Sequence, residues 1–361
     1  MSLIDLQIHH LRNISSARCT LHPHLNIFWG ANGSGKTSLL EAVYLLSTGH
    51  SFRTREIAPL ISATQPLLTV FAATDTQESV SIQKSVSGPT IVKLNKQACY
   101  SSSELAHFLP CQVFYQDIFH IIDAGPTVRR SLLDWGLFHV KQAYHPLWKD
   151  YRRVLKQRNA LLRQKAKQQD FAAWDKLLET LANQLDTLRA DYFVSWAQSF
   201  ETVLAQLSDI PCTIRYYKGW DRKESGKELS AVLAEQFTSD LQRQYTQSGA
   251  HQADIYFDLS RLKAKQSLSR GQQKIILIAL KLAQAQLLAQ PCVYLLDDIA
   301  AELDAQHLQR LFDCIRTING QFLLTVIDLP HLPVPPDLAA AVFSIADGQV
   351  NYVSRETAPS H

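Results

Sequence analysis

Residues 3–9 alternate apolar (Ile4, Leu6, Ile8) with polar (Asp5, Gln7, His9) side chains, the two-residue period of a half-buried strand. A second apolar run, Leu25–Trp29, leads into GANGSGKT and then SLLEAVYLLSTG, a helix expected to stop at Gly49. From about Lys141 to Gln168 the period becomes helical, with Trp148, Tyr151, Leu155 and Leu162 as an apolar stripe. The next segment carries Trp174, Leu178, Leu181, Leu185, Leu188 and Tyr192 at spacings of 4, 3, 4, 3 and 4, an a/d seam too short for an extended coiled coil. Together these two segments predict a short antiparallel helical arm. Residues 218–229 read as a polar loop, and regular structure is expected to resume near Gln266. Pro291–Leu296 and Gln321–Ile327 read as buried strands, the first running into Asp297-Asp298. The proline-rich tail after Leu329 is expected to be loosely organised.

A chain of 361 residues allows two domains, or one large domain with an insertion. The formal net charge is only +3, so any footprint for an anionic partner must be a local patch. One candidate is the run Lys149, Arg152, Arg153, Lys156, Arg158, Arg163, Lys165 and Lys167, which reads either as a solvated helix face or as a phosphate-binding one. The six cysteines form no CxxC pair and read as reduced, buried thiols. The N-terminus lacks an apolar signal region, and no apolar run approaches the roughly 18 residues of a membrane span, so a cytoplasmic protein is expected. His9-His10 and His22-Pro23-His24 lack an accompanying acid or cysteine cluster and read as strand-end histidines rather than metal ligands.

Gly30–Thr37 fits GxxxxGK[ST], the phosphate-binding P-loop. In such a loop the backbone N–H groups of Gly30, Ala31, Asn32, Gly33, Ser34 and Gly35 cradle phosphates, because the glycines remove Cβ clashes. Lys36 reaches the terminal phosphates of ATP, and the Thr37 hydroxyl is a ligand for Mg²⁺. The partner a P-loop needs is an acid at the end of a neighbouring strand. VYLLDD supplies Asp297 for the Mg²⁺ shell and Asp298 to polarise an attacking water.

Leu268–Gln273 (LSRGQQ) opens a long apolar helix before that strand, and Glu302-Leu303-Asp304 follows it. The order of these elements resembles the tail of an ABC-type ATPase. Ser269 by itself reads as a helix N-cap. The roughly 230 residues between Lys36 and Ser269 exceed the insert of a transporter ATPase and fall far short of an SMC coiled coil. Leu11-Arg12-Asn13, Gly49–Thr54 (GHSFRT) and Gly125–Gly136 (GPTVRRSLLDWG) are similar to segments of the RecF family, in the RecF/SMC branch. That resemblance implies an α/β fold: an ABC-type P-loop ATPase head formed from both chain ends (1–140 and 251–361), with an inserted α-helical lobe (141–250). It implies an ATP-dependent homodimer in which Ser269 contacts the nucleotide of the opposite protomer. It also implies slow, DNA-stimulated ATP hydrolysis that switches a clamp on duplex DNA or single-strand/double-strand junctions. The partners implied are RecR and RecO, and the outcome is RecA loading at gaps. By the same analogy Arg12 approaches the nucleotide and Gln112 is a metal ligand. The chain departs from the pattern at Tyr115-Gln116-Asp117, where the family often has Pro-Glu. It departs again at Thr325-Val326-Ile327-Asp328, where a switch His or Thr is usual, and at Asp298, where most ABC ATPases have Glu. Rival readings are a P-loop small-molecule kinase, which has no use for LSRGQQ, and the ATPase subunit of a transporter.

Overall fold

The computed structural model describes residues 1–115, 125–223, 225–259, 268–301 and 303–354. The expected return to regular structure near Gln266 lies outside them, as do Gln116, Asp117 and Glu302. Among the described residues no helix is long and apolar enough to cross a membrane.

Two six-stranded sheets organise the chain. The first is antiparallel, in the order β2 (Ile14–Thr20), β1 (Leu3–Leu11), β4 (Leu67–Thr74), β5 (Ser79–Ser85), β6 (Ile91–Leu94) and β7 (Gln97–Ala98). β1 alternates as its sequence predicts, except at its start. A register shift against β4 between Leu3 and Asp5 buries Leu3 and turns Ile4 outward, 38% exposed.

The second sheet runs β14 (Gln349–Ser354), β13 (Ala340–Ala346), β3 (Leu25–Trp29), β12 (Gly320–Val326), β11 (Cys292–Leu296) and β8 (Cys111–Phe114). All its pairings are parallel except that of β14. β8, β11 and β12 are buried at every position, because helices and the antiparallel sheet cover both faces. One face packs on α1 (Lys36–Thr48), which lies between the sheets and ends on Gly49 in the left-handed region, as expected from its sequence.

The proline-rich tail is more ordered than its composition suggests. Past the prolines, β13 joins the centre of the parallel sheet beside β3 and returns through Asp347-Gly348 to β14. Both turn residues have positive φ, the type I′ geometry that an Asp-Gly pair favours. That pair, set between LAAAVFSIA and QVNYV, is the local signal for the hairpin.

α2 (Ser102–Phe108) packs on α1, and the apolar cluster on the other face of the parallel sheet is shared by α3 (Pro126–Val140), α4 (Tyr144–Arg163), α5 (Ala172–Leu207), α6 (Leu229–Arg243), α7 (Arg270–Gln286) and α8 (Ala305–Thr317). α4 and α5 pack together as the predicted pair, but α5 continues well past the heptad seam. Its second half lies on α7, where Trp196 Nε1 donates to the Leu280 carbonyl at 2.9 Å. Arg158 leaves the basic run: it is fully buried, donating to Asp175 at 2.7 Å and to Asp240 at 2.8 Å. A charge that deep persists because it is paired. Arg129 makes a two-pronged contact with Asp254 at 2.8 Å, clamping α3 to β10 (Asp254–Asp258), which pairs with β9 (Thr213–Tyr217).

β8 is an edge strand, and a buried lysine caps one of its carbonyls. Lys281 of α7 donates to the Val113 carbonyl and lies 4.8 Å from the centre of the Phe114 ring. Burial pulls its ammonium down to about 7, against a small opposing pull from Cys111 and Cys292. Between about pH 7 and the ordinary lysine value of 10.5, the unfolded chain holds a proton that the fold does not. Stability from this group therefore rises with pH through that window. The unfolding free energy of wild type relative to Lys281→Met is expected to increase from pH 7 to pH 10, by at most about 1.4 kcal/mol per pH unit. Urea titrations at several pH values measure this slope; parallel curves for the two proteins would show that Lys281 keeps its proton.

Candidate functional site

GANGSGKT forms the turn between β3 and α1, as its spacing predicts. Gly33 (φ 79°) and Gly35 (φ 117°) occupy the left-handed region, which a side chain would strain. The loop rests on two elements distant in sequence. From one side the Asn13 amide donates to the Gly33 carbonyl at 3.0 Å, and Asn13 accepts from Ser38 at 3.1 Å. From the other, the Gly348 N–H donates to the Ser34 carbonyl at 2.9 Å. A Cβ at Gly348 would meet the Asn13 carbonyl oxygen at 2.0 Å, so the hairpin turn, the Arg12-Asn13 turn and the P-loop interlock.

Lys36 is buried, and its ammonium donates to the Gly30 and Ala31 carbonyls at 2.6 and 2.8 Å. Burial holds its pKa below the usual lysine value, while the charges of Asp298 and Asp297 pull it back up. Thr37 Oγ1 is 3.0 Å from both carboxylate oxygens of Asp297, joining residues 260 positions apart. Burial pushes the Asp297 carboxyl up; donation from Thr325 and Thr37 opposes this, and the neighbouring Asp298 reinforces it. Asp298 follows in the left-handed region at φ 47°, and its N–H donates to Thr325 Oγ1 at 2.8 Å. Lys36, Thr37, Asp297 and Asp298 line a cavity of about 760 Å³ with Arg12, Asn32 and Gly35.

The other sequence-predicted residues fall into three cases. Arg12 lines the cavity, but its guanidinium is bound in two places to the buried Glu41 of α1, and Ser51 of the GHSFRT segment hydrogen-bonds the same carboxylate. Gln112 does not reach the cavity. It sits in the interior of β8 with its amide directed at Gln284, 3.4 Å away, because the register of β8 against β11 places it opposite the buried Tyr294. Of that segment Tyr115, just beyond β8, is the residue at the cavity, whereas Gln112, expected as a metal ligand, lies outside its lining. Ser269 lies on the exposed surface as the N-cap of α7, in a reciprocal capping box with Gln272 at 3.2 and 2.9 Å. Asp304 likewise caps α8 through His307, at 2.9 Å. Neither Ser269 nor Asp304 lines the cavity of its own chain.

The sequence reading assigned no site role to Asn13, Phe52, Arg53 and Lys274, which line this site, and left that of Thr325, beside it, open. Arg53 and Phe52 belong to GHSFRT, and Lys274 ends LSRGQQK, so similarity of these strings was the available signal. Thr325 opens the stretch where a switch residue is usual, but its contacts with Asp297 and Asp298 appear only in space. The histidine pairs are strand-end groups: His24 Nδ1 lies 2.9 Å from the Gly320 carbonyl and His9 Nδ1 3.3 Å from Ser16 Oγ. Among the described residues no cluster of three His, Cys, Asp or Glu could hold a metal.

The donor set facing the cavity fits a nucleotide with a hard divalent cation. A hydroxyl and a carboxylate, Thr37 and Asp297, offer oxygen ligands of the kind Mg²⁺ prefers when it keeps several waters and shares phosphates. The left-handed glycines and Lys36 fit the phosphates themselves.

The RecF/RecN/SMC N terminal domain family matches residues 2–341. The chain is 36% identical over 365 residues to the DNA replication and repair protein RecF of Cellvibrio japonicus, covering 97% of this chain and 99% of that one. With the protein of the same name from Shewanella amazonensis it shares 38% identity over 362 residues, with the same coverage. Among solved structures, that of the recombination mediator protein RecF-ATP in the RecFOR pathway is similar with a TM-score of 0.82 at 24% identity, covering 98% of both chains. An Smc head bound to the C-winged helix domain of ScpA is similar with a TM-score of 0.64 at 17% identity, covering 99% of this chain and 98% of that one. At such identities the structures speak to the fold alone, that of an ABC-type ATPase head. With a P-loop and an acid-ended strand brought together from opposite ends of the sequence, and full-length relatives of one kind, the chain belongs to the RecF family of DNA replication and repair proteins.

Proposed function

We propose that this chain is a slow, DNA-stimulated ATPase in which hydrolysis of Mg²⁺-ATP opens a homodimeric clamp on DNA. The observation that carries this reading is the Thr37–Asp297 contact at 3.0 Å, which completes the P-loop site only when both chain ends fold together. In this reading residues 1–140 and 251–361 form the head and 141–250 the inserted helical lobe, and the Arg129–Asp254 contact of α3 and β10 ties the two head segments together. Gly30 to Gly35 and Lys36 hold the phosphates, Arg12 borders them, and Thr37 with Asp297 holds the metal. Bound Mg²⁺ supplies charge neutralisation at the phosphates. Asp298 accepts the proton of the attacking water, its backbone held by Thr325. Burial around Lys36 and Asp297 strengthens each electrostatic contact by lowering the local dielectric.

Ser269 is exposed and absent from its own chain's cavity, which supports action in trans on the partner's nucleotide. Family membership supports binding to DNA at single-strand gaps, work with RecR and RecO, loading of RecA and a cytoplasmic setting. The exposed Arg152, Arg153 and Lys156 on the outer face of α4 are the phosphate contacts we assign to DNA; Arg158 is not among them.

Three outcomes are expected. Asp298→Asn should bind ATP with near wild-type affinity and hydrolyse it at least about 100-fold more slowly, since the amide keeps the shape and loses the base. Nucleotide binding and phosphate release separate the two effects, and unchanged release would remove Asp298 from the chemistry. Charge reversal at Arg152, Arg153 and Lys156 should weaken duplex binding and lower the slope of log affinity against log salt by about 1–3, as lost phosphate contacts require. An unchanged slope returns that face to simple solvation. Lys36→Ala and Ser269→Arg should each be inactive alone, yet mixing them should restore activity at about a quarter of the sites, because half of randomly formed dimers carry one intact site. Mixed dimers are verified first by size and mass; verified mixed dimers with no recovered turnover would exclude the trans arrangement and favour a single-chain site such as a kinase's.

A further inference from the structure

The parallel sheet separates the two halves of the site by one strand. β3 carries the P-loop, β11 ends in Asp297, and β12 lies between them. Strands spaced about 4.8 Å apart leave β3 and β11 nearly 10 Å from each other. Among the described residues the end of β12 is therefore the strand backbone beside both, and it presents a fully buried polar side chain there, Thr325. A buried hydroxyl in an apolar sheet is costly unless both its donor and its acceptor functions are used.

Both are used, and their directions are forced. The Asp298 N–H can only donate, so Thr325 Oγ1 accepts it at 2.8 Å. The hydroxyl proton is then free for Asp297 Oδ1, also at 2.8 Å. Thr37 meets the same carboxylate from the P-loop side at 3.0 Å. Asp298 sits in the left-handed region at φ 47°, a conformation that a non-glycine residue holds only when its surroundings secure it. The hydrogen bond from its N–H to Thr325 is such a restraint.

We infer that Thr325 is a positioning residue of the ATP site: one hydroxyl orients the Asp297 carboxylate toward the metal position and locks the backbone of Asp298. This inference rests on the ATPase reading above and adds to it a role for a residue outside the P-loop and the acid-ended strand. Valine shares the β-branched shape of threonine and suits a buried strand, so Thr325→Val removes the hydroxyl with little change in side-chain shape. Serine does the reverse.

The test is a Mg²⁺ titration of fluorescent ATP-analogue binding, together with single-turnover hydrolysis, on the full chain. Thr325→Val is expected to need at least 5-fold more Mg²⁺ for half-maximal tight binding and to hydrolyse ATP at least 10-fold more slowly. Its binding in EDTA should stay at the wild-type value, and it should remain folded, with a melting temperature lowered by the unpaired Asp298 N–H. Thr325→Ser is expected to restore both readouts. If Thr325→Val does not fold, Thr325→Cys, whose thiol is a weak donor, takes its place with the same expectations. Wild-type Mg²⁺ requirement and turnover in a folded Thr325→Val or Thr325→Cys protein would overturn the inference while leaving the ATPase reading intact. The same holds if Thr325→Ser fails as badly as Thr325→Val. A wild-type chain that binds no Mg²⁺-ATP would overturn the ATPase reading and this inference with it.

Discussion

The contact between Thr37 and Asp297 is the constraint on which the rest of the structure depends. It joins a helix start near one end of the chain to a strand end near the other, through a short hydroxyl–carboxylate contact. That contact forms only if β3, β12 and β11 lie in register, and the register is fixed by burial of every β11 and β12 side chain on both faces. The apolar clusters on the two sides of the sheet are therefore part of the site's precision. One cluster fixes α1 against the antiparallel sheet; the other fixes α7 beneath β8 and β11.

Buried polar groups at the joints between layers point the same way. Gln321 on β12 accepts from the Leu3 N–H at 2.9 Å and donates to the Leu3 carbonyl at 2.8 Å, stitching the first strand of one sheet to the middle of the other. Gln284 of α7 donates to the Leu132 carbonyl at 2.8 Å and to Tyr192 at 3.1 Å, joining α3, α5 and α7. A Cβ at Gly136 would lie 2.0 Å from that tyrosine hydroxyl, which accounts for the glycine in GPTVRRSLLDWG on packing grounds alone. Arg189 ties Asp134, Tyr144 and the Ala250 carbonyl together in the same layer. Each such group satisfies several partners at once, so the helical layer and the sheet are bound in defined orientations rather than by apolar contact only.

The same geometry separates local from distributed function. Walker-type positions sit on consecutive residues and are held by the turn they form. The residues that steady them, Asn13, Thr325 and Gly348, come from three other elements. Glu41 belongs to α1 itself yet receives Arg12 and Ser51 from two different loops, so one buried carboxylate sets two parts of the cavity rim. An electrostatic site assembled this way is preorganised by backbone register and costs little rearrangement when charge arrives.

The sequence by itself determined the elements whose causes are local. β3, the P-loop, α1 with its Gly49 stop, β11 with its two acids and the Ser269 cap of α7 all follow from short-range periodicity, glycine placement and capping chemistry. The family, too, was legible, because its strings occupy both ends of the chain. Tertiary structure decided what depends on distant partners. It buried Arg158 against Asp175 and Asp240, turned Ile4 outward through a register shift, and drew Gln112 into the interior opposite Tyr294. It also converted a tail that reads as loose into the strand beside β3, since β13 enters the parallel sheet through a neighbour more than 300 positions earlier. Thr325 is the sharpest case: what its hydroxyl does is decided only when the Asp297 carboxylate and the Asp298 N–H, just beyond β11, are placed beside it.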